Sequence, residues 1–381
     1  MTALMCRRTT VASALALILL AGGCSGTAPK QSTEPSLVMS ASPGTLQSVL
    51  PPADSEADLT VDRGVAAALD EEFASGEYAD LRSVIVLADG RTAYERYFQS
   101  APSDYHHVYS VTKSVLSTLV GIAIADGAIP GVSATLAELL PDKSEDMTKS
   151  VANTTLEQLL TMMAGFTSQV PGPTVTDWVA DILEQGALEP GSNWSYSDNG
   201  AHLVSAVLAE ATGMPVLDYA RATLFDPLGI PSTPAAQQDV RDPEAFTGPG
   251  FGWAVDPRGV NVGGFGLRLR AQDMAKLGLL YLQDGVWEGQ QVVPSDWISR
   301  ATTEQADNGD GGYGYLWWVD QIDGDPAYTA LGRGGQRIWV IPNRELVVVY
   351  QVWTDPAAGP QAVAGKIDDA FVSLIAPAYK S

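Results

Sequence analysis

The sequence predicts an α/β fold of the α+β kind: one antiparallel sheet formed by both chain ends, flanked by helices, with a mostly helical region between them. Three observations point there. Residues 83–98 and 337–353 are dense in Val, Ile, Tyr and Trp. Each stretch is broken by a turn signal, Asp89-Gly90 in the first and Pro342-Asn343 in the second, so each reads as a hairpin. Residues 110–126 carry no charge between Lys113 and Asp126 and are apolar nearly all round, which is the pattern of a buried helix.

Taken in order, residues 1–23 read as an export signal. Arg7 and Arg8 give a basic start, and residues 11–20 give an apolar segment shorter than the ~20 residues a bilayer span needs. Leu20-Ala21-Gly22-Gly23-Cys24 resembles the end of a bacterial lipoprotein signal, with Ala21 where Leu is usual. That reading puts lipid on Cys24 and the protein on the outer face of the cytoplasmic membrane; an ordinary secretory signal with an incidental Cys would release it instead. Residues 24–60, rich in Ser, Pro, Thr and Ala, read as a flexible tether. Residues 61–381 are the folded part, with sheet from 61–109 and 331–381 and a helical region at 110–330. Residues 64–74 show a short amphipathic helix. Residues 154–163 start with a capping box, Thr154 or Thr155 with Glu157 or Gln158 behind it, and stop at Gly165. Further helices are expected at 176–185, 200–212 (closed by Gly213), 271–284 (entered through Arg270-Ala-Gln-Asp273) and 361–375.

Charge and composition exclude several functions. The net charge is −23, and loss of Arg7 and Arg8 with the export signal would make it −25. Nucleic acid and other anionic polymers are therefore not expected partners. Cys6 and Cys24 are the two cysteines, so the folded part has neither a disulfide nor a cysteine metal site. His106, His107 and His202 repeat no metal-ligand spacing, and no metal or cofactor is expected. The adjacent His106-His107 pair reads as exposed loop.

Chemistry concentrates at Ser110-Val-Thr-Lys113. On a helix, positions three apart share a face, so the Ser110 hydroxyl and the Lys113 amine meet over one turn. The helix N-terminus aims N–H groups and positive dipole at whatever Ser110 attacks. That is a nucleophile with a candidate base and an oxyanion donor. Ser-x-x-Lys by itself is common, but two further stretches accompany it. In Trp194-Ser-Tyr196-Ser-Asp198-Asn-Gly200 a Tyr in a turn-like segment before a helix can present its hydroxyl to a cleft. In Gly332-Arg333-Gly334-Gly335-Gln336, read as the opening of a strand, glycines permit close approach of a ligand, and the Gln336 N–H is a candidate second oxyanion donor.

In this order and context the chain resembles the penicillin-recognising serine hydrolases, in their class C β-lactamase-like branch of D,D-peptidases, family VIII esterases and 6-aminohexanoate-oligomer hydrolases. The matching motifs are Ser110-Val-Thr-Lys113, Tyr196-Ser-Asp198 and Arg333-Gly334-Gly335, supported by Thr155-Leu-Glu-Gln-Leu-Leu-Thr-Met162, Leu224-Phe-Asp-Pro-Leu-Gly229, Gly264-Phe-Gly-Leu-Arg-Leu269, Asp273-Met-Ala-Lys-Leu-Gly278 and the run from Gly334 to Pro342. The resemblance implies a β-lactamase/transpeptidase-like fold and hydrolysis of an ester or amide through a Ser110 acyl-enzyme. It implies that Lys113, Tyr196 or the pair takes the Ser110 proton, that Tyr196 protonates the leaving group, and that Ser110 and Gln336 N–H groups hold the oxyanion. β-Lactamase or D,D-peptidase activity, and a non-catalytic cell-wall-peptide binder, are the alternatives. Asp198 stands where Asn is usual. Beside Lys113 it would keep the amine charged and leave Lys113 to support a Tyr196 phenolate; turned away, it would cap the next helix. Arg333 either receives a substrate carboxylate or forms a structural salt bridge. The expected partners are a small-molecule or peptide substrate, its pocket walled by residues 246–262 and by Trp317 and Trp318, and a membrane through the lipid anchor.

Overall fold

Val84, Val86 and Ala88 alternate with Ile85 and Leu87 along one strand, and all five are buried. A strand with both faces apolar needs cover on both sides, and the computed structural model shows that cover. It describes residues 56–379 apart from 75–77, 173, 188–189, 236–238, 241–248, 310 and 355–362. Cys24, the export signal and most of the tether lie outside the described residues, as does Phe246 of the expected pocket wall.

The strands are β1 (Leu81–Ala88), β2 (Arg91–Tyr97), β3 (His106–His107), β4 (Gly252–Trp253), β5 (Leu267–Leu269), β6 (Val286–Trp287), β7 (Gln290–Gln291), β8 (Ala306–Asp307), β9 (Gly312–Tyr313), β10 (Trp318–Ile322), β11 (Asp325–Gly332), β12 (Gln336–Ile341) and β13 (Leu346–Val352). The helices are α1 (Glu56–Phe73), α2 (Val111–Ala125), α3 (Leu136–Leu139), α4 (Lys149–Ala152), α5 (Leu156–Leu160), α6 (Trp178–Gln185), α7 (Asp198–Thr212), α8 (Val216–Ala220), α9 (Ala271–Leu282), α10 (Ser295–Ala301) and α11 (Val363–Ala370).

The main sheet runs β2-β1-β13-β12-β11-β10-β9-β8. Pairing of β1 with β13, from Leu81↔Val352 to Ala88↔Leu346, joins the two chain ends side by side and antiparallel, as the sequence predicts. On one face Ile85, Leu87, Val347 and Val349 pack with α2 and α9. On the other, Val84, Val86, Val348 and Tyr350 pack with Val65, Leu69 and Phe73 of α1 and with Phe371. The core therefore lies in two layers, and α2 is buried between the sheet and the helical region.

Four differences from expectation have local causes. The sheet takes in β8 to β11, so its C-terminal part begins at Ala306 rather than 331. The β10–β11 turn is Asp323-Gly324, both residues at positive φ (53° and 91°), the same device as Asp89-Gly90 (50° and 73°). Helix α1 starts at Glu56 instead of 64; Asp62 anchors it by accepting from Arg91 and from the Tyr379 hydroxyl. The segment Arg333–Gly335 is the turn between β11 and β12, not the opening of a strand. His106 and His107 form β3 against β5 rather than an exposed loop. His107 is buried, its Nε2 accepts from Gly266 N at 3.0 Å, and its ring meets Tyr109 edge-on at 4.0 Å.

Burial, helped by the nearby Arg268 charge, lowers the His107 pKa from its ordinary 6.5 to about 3. Below 6.5 the unfolded chain takes up this proton and the folded chain does not. Stability is therefore lost as pH falls from about 6.5 towards 3, by at most ~1.4 kcal/mol per unit from this group. His107→Gln keeps an acceptor for Gly266 and cannot charge. It should narrow the gap between urea midpoints at pH 7 and pH 4.5, and an unchanged gap would place the acid sensitivity elsewhere.

Candidate active site

Ser110 lies immediately before α2, at a bend. Tyr109 takes φ 49°, a left-handed conformation uncommon for a non-glycine residue. The bend is held by Thr112, whose Oγ1 donates to Tyr109 O at 2.6 Å, and by the His107 ring. Ser110 stays half-exposed while the helix after it is buried. The N–H groups of Val111, Thr112 and Lys113 are taken by the carbonyls of Val108, Tyr109 and Ser110. Among the described residues no backbone carbonyl accepts from the Ser110 N–H. That donor, at the positive end of α2, is available to a ligand oxygen.

Lys113 is 1% exposed, and its Nζ has three acceptors. They are Ser110 Oγ at 3.1 Å, Asp198 Oδ1 at 2.5 Å and Gly264 O at 2.7 Å. Gly264 comes so close that a Cβ there would lie 2.6 Å from Asp198 Oδ1. Asp198 faces Lys113 because the capping role falls to its neighbour: Ser197 Oγ accepts from Gly200 N at 2.8 Å. Of the two sequence readings of Asp198, the structure has the one beside Lys113.

Tyr196 is half-buried, with Lys113 Nζ 4.6 Å from its ring centroid. Burial pushes its pKa up and the Asp198 charge adds to this, while a hydrogen bond with the Ser110 side chain works against both. Burial pulls the Lys113 pKa down, and Asp198 opposes it. These directions weigh against Lys113 serving chiefly as a support for a Tyr196 phenolate. The carboxylate that favours the ammonium also opposes the phenolate.

The third stretch reaches the site through a neighbour. Gly334 has φ 80°, and a Cβ on it would fall 2.0 Å from Thr354 Oγ1. Thr354 O in turn accepts from the Tyr109 hydroxyl at 3.5 Å. The Arg333–Gly335 turn is thus tied to the bend that carries Ser110, with Arg333 and Gly334 half-exposed and Gly335 buried. Gln336 opens β12 directly after this turn. The residue is 0% exposed, and its side chain is spent on β13, donating to Val352 O at 2.6 Å and accepting from Val352 N at 3.3 Å.

Two features went unread in the sequence. One is a role, not a residue: the stretch that opens at Gly264 matches the family in sequence, but its carbonyl as third acceptor of Lys113 is not something residue type reveals. The other is a cluster of four rings, Trp194, Tyr196, Tyr313 and Trp318. Tyr196 and Trp318 stack at 5.9 Å and 21°, and Tyr313 meets Trp194 at 5.5 Å and Trp318 at 5.1 Å. The expected wall is accordingly split: Trp318 joins this cluster, whereas Trp317 packs inward on Tyr281 at 4.4 Å. Phe251, Trp253, Ala254 and Val262 of the 246–262 stretch are core residues.

The Beta-lactamase family model matches residues 79–370. The chain belongs to the Beta-lactamase family. Among its relatives in that family is the 6-aminohexanoate-dimer hydrolase of Paenarthrobacter ureafaciens, 22% identical over 321 residues, covering 75% of this chain and 74% of that one. Two solved structures share the fold. A class C β-lactamase from Rhodobacter sphaeroides superposes with TM-score 0.61 at 20% identity, covering 80% of this chain and 98% of that one. EstCE1, a hydrolase with promiscuous acyltransferase activity, superposes with TM-score 0.63 at 19% identity, covering 84% and 100%. The Beta-lactamase-family relatives named here are hydrolases.

The Lys113–Asp198 contact has a measurable consequence. Asp198→Asn alone leaves a buried ammonium with a weakened partner, and Lys113→Met alone leaves a carboxylate without its cation. The double variant should cost less than the sum of the single variants by ~1–3 kcal/mol in urea unfolding. Additive costs would mean that the two do not form a pair in solution.

Proposed function

We propose that this protein is a serine hydrolase that cleaves an ester or amide bond through a Ser110 acyl-enzyme. The observation that carries this reading is the Lys113 Nζ 3.1 Å from Ser110 Oγ, with Asp198 and Gly264 as its two other partners. A neutral amine in that position donates its two N–H groups to Asp198 and Gly264 and turns its lone pair to the Ser110 hydroxyl. After taking the proton it is an ammonium with three donors and the same three acceptors. The partner set therefore serves both states without rearrangement, which suits a general base.

In acylation the Ser110 oxygen bonds to the substrate carbonyl carbon while its proton passes to Lys113. The carbonyl oxygen, now carrying the charge, takes the Ser110 N–H, and the Gln336 N–H at the end of the adjoining turn serves as the second donor. The bond to the leaving group then breaks as Tyr196 gives it a proton, and the proton held by Lys113 replaces the one Tyr196 has lost. Water repeats the sequence in reverse to release the acid and restore Ser110. Kinship with an amide-cleaving relative by name and fold likeness to EstCE1 support an ester or amide rather than one bond type.

An active-site-directed fluorophosphonate should add to Ser110, located by peptide mass spectrometry. Ser110→Ala should abolish both the adduct and ester turnover while the protein stays folded, and Lys113→Ala should slow acylation by about 10²-fold or more. An adduct elsewhere, or turnover surviving in Ser110→Ala, would sink the mechanism. No adduct on wild type would favour a non-catalytic binder.

A further inference from the structure

The ring cluster beside Tyr196 is more than packing. On β10 and the residue before it, consecutive side chains point to opposite faces. Trp317 turns into the core beneath α2, beside Ser114, Val115 and Thr118, and is 1% exposed. Trp318 turns the other way and stacks on Tyr196. It is half-exposed, and so is Trp194, which meets Trp318 at 5.7 Å and Tyr196 at 6.3 Å. Tyr313, 1% exposed, stands behind both indoles and fixes them edge-on. Two indoles with open surface, braced from behind, thus adjoin the phenol assigned above as proton donor. Lys113, Asp198 and Ser110 gather on the polar side of Tyr196, while Trp194 and Trp318 give it an apolar side.

We propose that Trp194 and Trp318 form a leaving-group subsite that takes a planar apolar group, such as an arylalkyl alcohol or amine. The proposal rests on the serine hydrolase reading, because the side of the scissile bond follows from Tyr196 protonating the leaving group. A leaving group must lie against the Tyr196 hydroxyl to receive its proton, and the next surface beyond that ring is Trp318. Aromatic rings prefer offset-stacked or edge-on neighbours at 4.5–7 Å, the spacing these rings already keep among themselves.

The test compares kcat/KM, followed by pH-stat, for ethyl acetate, benzyl acetate and ethyl phenylacetate. The first pair differs only in the leaving group, and ethyl acetate and ethyl phenylacetate differ only in the acyl group. Wild type should prefer benzyl acetate to ethyl acetate by about tenfold or more. Trp318→Ala should reduce that ratio by about tenfold, at ~1.4 kcal/mol per decade, and Trp318→Phe should keep most of it. Trp318→Leu, which fills more of the space, provides a second non-aromatic variant should the alanine variant fail to fold. A benzyl-to-ethyl ratio unchanged in the non-aromatic variants, with both rates lowered, would show that Trp318 only holds Tyr196 and would overturn the subsite. So would a loss confined to the ethyl phenylacetate-to-ethyl acetate ratio, which would place the wall on the acyl side. Failure of wild type to turn over any ester, with no adduct at Ser110, would overturn the parent reading and the subsite with it.

Discussion

The arrangement depends on one buried amine. Lys113 is removed from water at the start of an apolar helix, where an unpaired charge would cost several kcal/mol. Its three acceptors meet that cost, and they come from three parts of the chain: Ser110 before α2, Asp198 at the start of α7 and Gly264 before β5. Each requires a local feature. Ser110 needs the left-handed Tyr109, Asp198 needs Ser197 to cap in its place, and Gly264 needs to lack a side chain. The contact thus ties α2 to the start of α7 and to the segment before β5, and it places an amine beside the Ser110 hydroxyl.

In the proposed mechanism the same contact divides the proton work. Burial acts in opposite senses on the proposed base and the proposed acid, lowering Lys113 and raising Tyr196. Asp198 pushes both upward, so it restrains Lys113 and reinforces Tyr196. An Asn here would leave burial unopposed at Lys113. The Asp is therefore a tuning element, and in a chain of net charge −23 it keeps the buried cation from standing alone.

Much of this was legible in the sequence. Runs dense in Val, Ile, Tyr and Trp, broken at Asp89-Gly90 and Pro342-Asn343, announced the two terminal hairpins, and the uncharged run after Lys113 announced the buried helix. The capping box at Thr155 and Gln158 formed as read. What escaped notice has physical reasons. Strands β8, β9 and β10 are two to five residues long, too short for an alternation to show, although Asp323-Gly324 carried the hairpin signal already used at Asp89-Gly90. His107 looked exposed because neither its partner Gly266 nor the strand β5 that covers it is a local feature. The side-chain tie from Gln336 to Val352 of β13 joins residues distant in sequence, so no local pattern announces it. Gly264 acts through its carbonyl, which residue type does not reveal.

The division of labour between Lys113 and Tyr196 is tested most directly by the pH dependence of acylation in Tyr196→Phe with p-nitrophenyl acetate, followed as the pre-steady-state burst. The p-nitrophenolate leaving group departs without a proton, so loss of the phenol should matter little if Lys113 is the base. The account predicts a burst rate within about tenfold of wild type and an acid limb that persists. A fall of about 10²-fold or more together with disappearance of that limb would contradict it, because the proton acceptor for Ser110 would then be Tyr196.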